Sequence, residues 1–380
     1  MNIAEFTRCS NCGACYNVCP KDAISVISKG LFYKPEVNPD SCVDCSMCVK
    51  ICPVNNHIEG KTPLYALAGW HYDKHVVLSS SSGGVFYGIA QHVIDNGGAV
   101  FSAVYSDSCE TVVFASSDEF PIEKMLKSKY VESNVGRSFR DIKCTLESGR
   151  MVLFCGTPCQ VAGLSQYLGK AYDGLITCDF ACGGLPSHQI YQEHLKSLEK
   201  RYRAEVKGVD FRPKTHGWKR YALKISFSDG KNYVRLGTED EYMKSFLYGK
   251  YTVRDECLEC KFSDCHLSDI TIADFWLHEQ ISTLRNDKGI SLILCNTEIG
   301  RRILNSIEEK YIFSEIDVDK ASYNNKKTQI SDYRRQKHND FLALYREKGL
   351  ALACRKFIPT SLTDRIKNYF VRILFRNGRI

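Results

Sequence analysis

Near its start the sequence reads Cys9-Ser10-Asn11-Cys12-Gly13-Ala14-Cys15-Tyr16-Asn17-Val18-Cys19-Pro20. The same arrangement returns 33 residues later (42 minus 9), in the run from Cys42 to Pro53. Both runs follow the pattern C-x2-C-x2-C-x3-C-P. A pattern that repeats at a fixed period indicates one structural unit that has been duplicated.

This spacing is typical of 4Fe-4S clusters. The first three cysteines of a run wrap one cluster, and the fourth, beyond a turn, ligates the opposite cluster. We therefore predict one cluster on Cys9, Cys12, Cys15 and Cys52, and a second on Cys42, Cys45, Cys48 and Cys19. Zinc is the alternative metal, but zinc usually takes two close pairs of ligands.

The composition excludes several classes of protein. The chain has 380 residues, of which 44% are hydrophobic and 25% charged, as in ordinary globular proteins, so a disordered or collagen-like chain is excluded. No uncharged apolar run of about 18 residues is present, so no membrane-spanning helix is expected. No secretory leader is visible, and we expect a cytoplasmic protein. Because disulfides are rare there, the 19 cysteines indicate metal binding.

The pattern along the chain predicts an α+β or α/β protein in three parts. Residues 1–60 form a ferredoxin-like unit with a hairpin-like stretch at Ile24–Val37, and a polar linker follows. Residues 64–318 alternate short apolar runs with helical patterns and indicate a mixed α/β domain. Residues 319–380 form a basic helical extension.

A loop rich in serine and glycine, Ser79–Gly84, stands before a helical pattern at Val85–Ile94 and a predicted strand at Ala99–Tyr105. Backbone N–H groups at the start of a helix form a ready anion or phosphate site. The alternative is a helix that the serines simply cap.

Two further turns carry cysteines. Met151–Phe154 is a predicted strand, Gln160–Leu168 a helix and Leu175–Thr177 another strand. Turns at the carboxyl ends of strands converge on the ligand crevice of an open α/β sheet. We therefore expect Cys159 and Cys182 to face one another there.

A later pair, Cys257-x2-Cys260, needs two more thiolates to close a four-ligand site. Cys159 and Cys182 would supply them and give a third 4Fe-4S cluster. Cys265 competes for one of these places, and a four-cysteine zinc site fits the same residues. Cys155 is left unassigned, and small buried hydrophobic roles are predicted for the others: Cys109, Cys144, Cys178, Cys295 and Cys354.

Charge is concentrated at the end of the chain. Residues 320–380 carry 15 basic and 4 acidic side chains, a net charge of +11, whereas the whole chain carries +7. An apolar stripe, Ile366, Tyr369, Phe370, Ile373 and Leu374, lies among these basic residues. It predicts a basic amphipathic helix that docks on a membrane surface or a partner. The alternative is a terminal helix packed on its own domain.

Other functions lack a signature. The sequence contains neither G-x-G nor a phosphate-binding P-loop, and its ten histidines form no metal-binding pair. The basic stretch matches no nucleic-acid-binding motif, so no nucleic-acid partner is expected.

Taken together, the segments resemble the coenzyme F420 hydrogenase/dehydrogenase beta-subunit family. The resemblance spans about residues 64–300 and rests on five segments in family order. These are Ser82–Gly84, Ser128–Tyr130 with Ser133, Gly156–Gln160, Cys182–Ser187, and Cys257-x2-Cys260 followed by Asp269–Trp276.

The resemblance implies a mixed α/β flavin-binding domain that holds FAD beside a 4Fe-4S cluster. It implies cluster ligands at Cys159, Cys182, Cys257 and Cys260. Lys129 is the candidate for holding negative charge on the flavin or its phosphates. The flavin contacts that it implies are Ser81, Ser82, Gly83, Gly84, Lys129, Tyr130, Ser133, Gly156, Thr157 and Pro158.

The expected function is therefore an iron–sulfur flavoprotein oxidoreductase. It would take electrons from a reduced carrier such as ferredoxin or a partner redox subunit, and pass them through the clusters and FAD to an organic two-electron acceptor, coenzyme F420 or another small molecule. The alternative is an electron-transfer subunit of a larger complex with no substrate of its own. A zinc-stabilised binding protein is the third possibility.

Overall fold

The structure is a computed structural model and describes residues 2–3, 8–263, 265–276, 285–322, 331–361, 363–364, 366 and 368. Its strands are β1 (Ile24–Lys29), β2 (Phe32–Val37), β3 (Tyr65–His71), β4 (Ala99–Tyr105), β5 (Val112–Ser116), β6 (Ser133–Asn134), β7 (Val152–Cys155), β8 (Leu175–Phe180), β9 (Val206–Asp210), β10 (Ala222–Phe227), β11 (Asn232–Leu236), β12 (Ile270–Asp274), β13 (Ser291–Cys295) and β14 (Tyr311–Ile316). Its α-helices are α1 (Ala14–Val18), α2 (Met47–Lys50), α3 (Lys74–Ser79), α4 (Val85–Asp95), α5 (Ile122–Met125), α6 (Ser138–Glu147), α7 (Pro158–Leu168), α8 (His188–Tyr202), α9 (Glu241–Leu247), α10 (Asp255–Leu258), α11 (Glu298–Ile307), α12 (Val318–Ser322), α13 (Asp332–Lys348) and α14 (Leu350–Phe357).

A nine-stranded mixed sheet is the centre of the fold, with the strand order β14-β3-β13-β12-β8-β7-β4-β5-β6. Its middle block, β12-β8-β7-β4, is parallel, and antiparallel pairs flank this block on both sides. The buried side chains of β7 and β8 account for this position, since strands covered on both faces are apolar throughout. The predicted mixed α/β architecture is confirmed.

The predicted elements around this sheet are found with small shifts at their ends. The strand at Ala99–Tyr105 and the hairpin of β1 and β2 have the predicted bounds. The start of α4 differs from the serine cap we expected. Gly84 stands at the N-cap with a φ of 91°, and no side chain caps the helix. Glycine takes this left-handed backbone at no steric cost.

The cysteine-bearing unit packs directly against the main sheet. Cys12 and Ala14 are buried in one hydrophobic cluster with Phe139 of α6 and Leu164 of α7. Arg140 donates hydrogen bonds to the backbone oxygens of Asn17 and Cys19 at 2.7 and 2.9 Å. The buried face of α1 therefore shares a core with the helices that follow it much later in the chain.

Helices α13 and α14, inside the predicted C-terminal extension, pack on the body of the chain. Phe341 is fully buried and stacks on Tyr251, with ring centroids 4.8 Å apart. The Tyr345 hydroxyl donates to Glu193 of α8 at 2.6 Å. Most of the apolar stripe, including residues 369–380, lies outside the described residues. The boundaries at 60, 64 and 318 stay predictions.

Among the residues that the structure describes, no helix combines the length and the apolar character needed to cross a bilayer.

Candidate redox centre

The two cysteine runs have the same backbone. Asn11 and Asp44, which stand at matching positions, have φ values of 54° and 49°. Gly13 and Ser46, two residues further on, have φ values of 91° and 61°. Non-glycine residues rarely adopt this left-handed region. The duplication read from the cysteine spacing therefore extends to the course of the loops, and each loop leads into a short helix, α1 or α2.

The structure brings the first predicted ligand set together in a buried site. Burial raises the pKa of the Cys12 thiol to about 12, and the nearby Cys9 and Cys52 add to this rise. Burial also raises the pKa of Cys15 well above its usual range, again with contributions from Cys12, Cys9 and Cys52. Four thiols that burden one another in this way form a site that only a bound metal would relieve, because metal binding keeps thiols deprotonated.

The second set lies nearer the surface. Cys19, Cys42, Cys45 and Cys48 all line one cavity, together with Pro20. Cys45 is exposed, whereas Cys48 is buried. The fourth cysteine of the first run therefore joins the first three of the second run, which is the crossed arrangement that we predict for the ligands.

The third set also comes together. Cys159, Cys182, Cys257 and Cys260 line a wide cleft at the carboxyl ends of β7 and β8. Burial raises the pKa of Cys159 well above its usual range, and the charges of the other three thiols add to it. Cys265, the competitor for one place, donates its thiol hydrogen to the Lys261 carbonyl oxygen at 2.9 Å. The geometry thus favours Cys182 as the fourth member.

The first and third sets are in contact. The Cys159 thiol lies 3.7 Å from the backbone oxygen of Ser10. On α7, a Cβ atom at Gly163 would lie only 3.0 Å from the Cβ of Cys12. Glycine at this position therefore lets the helix that carries Cys159 approach a cysteine of the first set.

All three sets fit a 4Fe-4S cube by their chemistry, since four thiolates is the ligand number of that cluster. Backbone N–H groups already point at the sulfurs. Asn11 donates to Cys9 at 3.3 Å, and Leu185 donates to Cys257 at 3.3 Å. Hydrogen bonds to the sulfurs are one of the features by which a protein adjusts cluster potentials.

The residues of the serine–glycine loop, predicted as flavin contacts, engage the neighbouring strands. The Ser81 hydroxyl accepts from the backbone N–H of Ser128 at 2.8 Å, and the Ser82 hydroxyl donates to the Ile290 oxygen at 2.7 Å. A Cβ atom at Gly83 would lie 2.3 Å from the Gly69 oxygen. Gly84 leads from this loop into α4, and the packing leaves no room for side chains at Gly83.

Lys129 and Tyr130 lie close to the loop. The Lys129 ammonium is buried and donates to the Leu126 oxygen at 3.0 Å, and burial lowers its pKa to about 7. The Tyr130 hydroxyl accepts from Arg212 at 3.2 Å, and Arg212 also reaches the Ser81 oxygen at 3.4 Å. Arg212 therefore joins two of the predicted flavin contacts.

The remaining predicted contacts lie beside the third set. Thr157 caps α7 in a capping box with Gln160, and Pro158 is the first residue of that helix. Gln160 also donates to the Ser133 hydroxyl at 3.0 Å. The Thr157 hydroxyl lies 3.1 Å from the Cys159 sulfur, and Gly156 precedes it in the same turn.

Sequence reasoning missed the cations around the serine–glycine loop. Arg212 pairs with Asp274 at 2.8 Å, and Trp218 donates to the same carboxylate at 3.1 Å. Lys214 donates to the Ser82 oxygen at 2.8 Å, and burial, together with the Arg212 charge, lowers its pKa to about 7. Only Asp274 lay in a segment that the sequence had marked, and no motif announces the two cations.

This pocket fits a bound anion. Asp274 already balances Arg212, so Lys214 adds a half-buried positive charge that this carboxylate does not match. A group with phosphate charge, such as a dinucleotide, would compensate it. The loop Ser81–Gly84 and these cations are therefore the residues that would hold FAD.

The unassigned cysteines mostly follow the prediction. Cys109, Cys178, Cys295 and Cys354 are buried, but Cys144 is exposed on α6, so its predicted burial is wrong. Cys155 is buried and pairs in register with Cys178 on the neighbouring strand.

The family comparisons match two segments. Residues 149–321 match the family described as the C terminus of the beta subunit of coenzyme F420 hydrogenase/dehydrogenase. Residues 8–56 match the 4Fe-4S dicluster domain, which makes this an iron–sulfur protein of an oxidoreductase type.

Comparison with individual proteins gives two relatives. The coenzyme F420-dependent sulfite reductase of Methanocaldococcus jannaschii is 22% identical over 365 residues, which cover 90% of this chain and 53% of the relative. The chain thus spans about half the length of that relative. A chain of the xenon-derivatised F420-reducing [NiFe] hydrogenase complex from Methanosarcina barkeri aligns with a TM-score of 0.49 and 15% identity, over 77% of this chain and 98% of that chain.

The resemblance drawn from the motifs is confirmed, and its order along the chain agrees with the two matched segments. The chain belongs to the coenzyme F420 hydrogenase/dehydrogenase beta-subunit family and carries a 4Fe-4S dicluster domain ahead of the family's C-terminal segment.

Proposed function

We propose that the chain is an iron–sulfur flavoprotein oxidoreductase that transfers electrons between a reduced carrier and an organic two-electron acceptor. The carrier is a ferredoxin-like protein or a partner redox subunit, and the acceptor is coenzyme F420 or another small molecule. The observation that carries this proposal is the contact between Ser10 and Cys159, which joins the dicluster unit to the third set of thiols.

The clusters would supply one-electron transfer, and FAD would couple it to two-electron chemistry. The chain's own residues hold and separate these sites. The first set lies in the core and is shielded from water, whereas Cys45 of the second set is exposed and offers the point of entry for a carrier protein.

The pocket of Arg212 and Lys214 supports FAD as the organic cofactor. Its cations would bind the phosphates beside the loop Ser81–Gly84. The other proposed contacts, Thr157 and Pro158, adjoin Cys159, so a flavin held between these two groups would lie beside the third cluster. Lys129, with its buried ammonium, would favour negative charge there.

The second candidate is an electron-transfer subunit that has no substrate of its own. The observation in its favour is that the chain spans about half of the sulfite reductase relative, so other parts of that enzyme have no counterpart here. In this case a larger redox partner would receive the electrons. The basic residues after 319 would serve to dock that partner or a membrane surface.

The test begins with protein purified under argon, in which iron, sulfide and flavin are quantified. Three 4Fe-4S clusters require about 12 irons per chain. In Cys159→Ser we expect about a third of the iron to be lost, the share of one cluster among three. Reduction of the flavin by low-potential ferredoxin is expected to be abolished as well.

The matched control is Cys144→Ser, which replaces an exposed cysteine outside the three sets and should retain all the iron. Unchanged iron in Cys159→Ser would contradict the third cluster, and zinc without flavin would contradict the redox proposal. Steady-state reduction of coenzyme F420 by the isolated protein separates the two candidates, because an electron-transfer subunit alone should show none.

A further inference from the structure

A buried ion pair lies where the dicluster unit meets the rest of the chain. The side chains of Arg254 and Glu132 are 1% and 0% exposed, and the guanidinium of Arg254 donates directly to the Glu132 carboxylate. Arg254 precedes Cys257 in the turn that opens α10, and the Cys257 N–H donates to the Arg254 oxygen at 3.0 Å. A permanent charge is therefore held one helical turn from a third-set cysteine.

The same segment binds the first set. Arg254 donates through Nε to the backbone oxygen of Cys9 at 3.0 Å. Glu256 accepts from the backbone N–H of Cys9 at 3.0 Å. Both polar backbone groups of Cys9 thus end on residues that immediately precede Cys257, so the two cysteines cannot move apart without breaking these bonds.

Glu132 faces away from the cysteines toward the hairpin of the dicluster unit. It accepts from the Tyr33 N–H at 3.0 Å and lies 3.1 Å from Nδ1 of His188. Arg254 also donates to the Tyr33 oxygen at 2.8 Å. The positive end of the pair therefore lies at the cysteines, and the Arg254 charge interacts with both Cys9 and Cys257.

We propose that Arg254 is a positioning residue shared by the first and third clusters, which fixes their separation and makes both easier to reduce. The inference rests on the proposed function in that it requires clusters at both sites. Its physical reason is that reduction adds a negative charge, which a nearby guanidinium stabilises in a water-poor site. Arginine is the suitable residue because it stays charged when buried.

The test measures cluster reduction potentials in three variants by redox titration monitored by electron paramagnetic resonance. Glu132→Gln removes the balancing carboxylate and should make the first and third clusters easier to reduce. Adding Arg254→Gln to Glu132→Gln should reverse this shift. We expect about a tenfold change in the reduction equilibrium, which is 59 mV for one electron.

The double variant also avoids leaving one charge buried without its partner, which by itself tends to unfold a protein. Arg254→Lys keeps the charge and should leave the potentials close to those of the wild type. The signal that is lost in Cys159→Ser identifies the third cluster. A merely structural role would lower iron content without moving the potentials in opposite directions.

Arg140→Gln is the matched control. Arg140 also ties the dicluster unit to the body, but it donates to the oxygen of Cys19, a second-set cysteine, and the third cluster should keep its potential. Wild-type protein without three clusters would contradict the proposed function itself. Clusters present with unchanged potentials in Glu132→Gln and the double variant would overturn only the role of Arg254.

Discussion

Gly163 shows how a single residue sets the distance between two cofactor sites. Alanine at this position would place its Cβ 3.0 Å from both the Cβ and the oxygen of Cys12, and 3.1 Å from its sulfur. Contacts this close cannot be met without moving the helix or the cysteine. Because α7 carries Cys159, any such movement would change both the first and the third ligand set.

We predict that Gly163→Ala destabilises the protein by about 1–3 kcal/mol, the usual cost of over-packing a core. The gain of about 1 kcal/mol in helix propensity offsets part of it. The measurements are the thermal midpoint and the iron content under argon, both of which should fall. Ser165→Ala, at an exposed position on the same helix, serves as control, and equal midpoints in both variants would contradict the prediction.

At the scale of elements, α8 and α9 are held together by one buried pair. Asp240 caps α9 by accepting from the Met243 N–H at 2.8 Å, and His194 of α8 lies 2.9 Å from the same carboxylate. Burial lowers the pKa of His194, but the Asp240 charge outweighs it, so the pKa is raised above 6.5. For Asp240, burial raises the pKa, but His194 and three hydrogen bonds bring it below 3.8.

These shifts determine how stability depends on pH. The His194 contribution is complete below pH 6.5 and is lost as the pH rises through the raised pKa. The Asp240 contribution is complete above pH 3.8 and is lost as the pH falls through the lowered pKa. The pair therefore stabilises the fold most between about pH 4 and 6.5.

We predict that the thermal midpoint of the wild type falls between pH 6 and 8 more than that of His194→Gln, which cannot take up the proton. Scanning fluorimetry in a series of buffers measures this difference. His75→Gln, which changes an exposed histidine, should follow the wild type. Parallel curves for the wild type and His194→Gln would show that the pair does not titrate in this range.

At the scale of the whole molecule, the clusters are expected to hold the dicluster unit on the body. Cys12 and Ala14 share a core with Phe139 and Leu164, and metal binding stabilises whatever it folds. Removal of iron by a chelator should therefore loosen residues 8–56 first. Limited proteolysis with mass spectrometry should then show early cleavage in this segment, for example after Lys29 or Lys34.

Restoring iron and sulfide should restore resistance in the same sample. Cleavage that starts instead between α8 and α9, far from the cysteine runs along the chain, would contradict this expectation. So would an unchanged pattern, because the clusters would then contribute nothing to the packing of the unit.

The sequence by itself determined the iron–sulfur part of this protein. The cysteine runs could be predicted because four ligands within eleven residues follow from local spacing, which the chain keeps wherever it folds. The helix after the serine–glycine loop and the strand Ala99–Tyr105 follow from local periodicity in the same way. The third thiol set was within reach because strand ends converge in an α/β sheet.

Only the tertiary structure decided which distant residues meet these sites. Arg212 and Asp274 come from segments 62 residues apart, and Arg254 and Glu132 from segments 122 residues apart. No periodicity or spacing links such pairs, because side chains that are distant in sequence meet only through packing. The exposure of Cys144 and the cap at Gly84 were decided in the same way, by the direction in which a helix faces and the space left beside a strand.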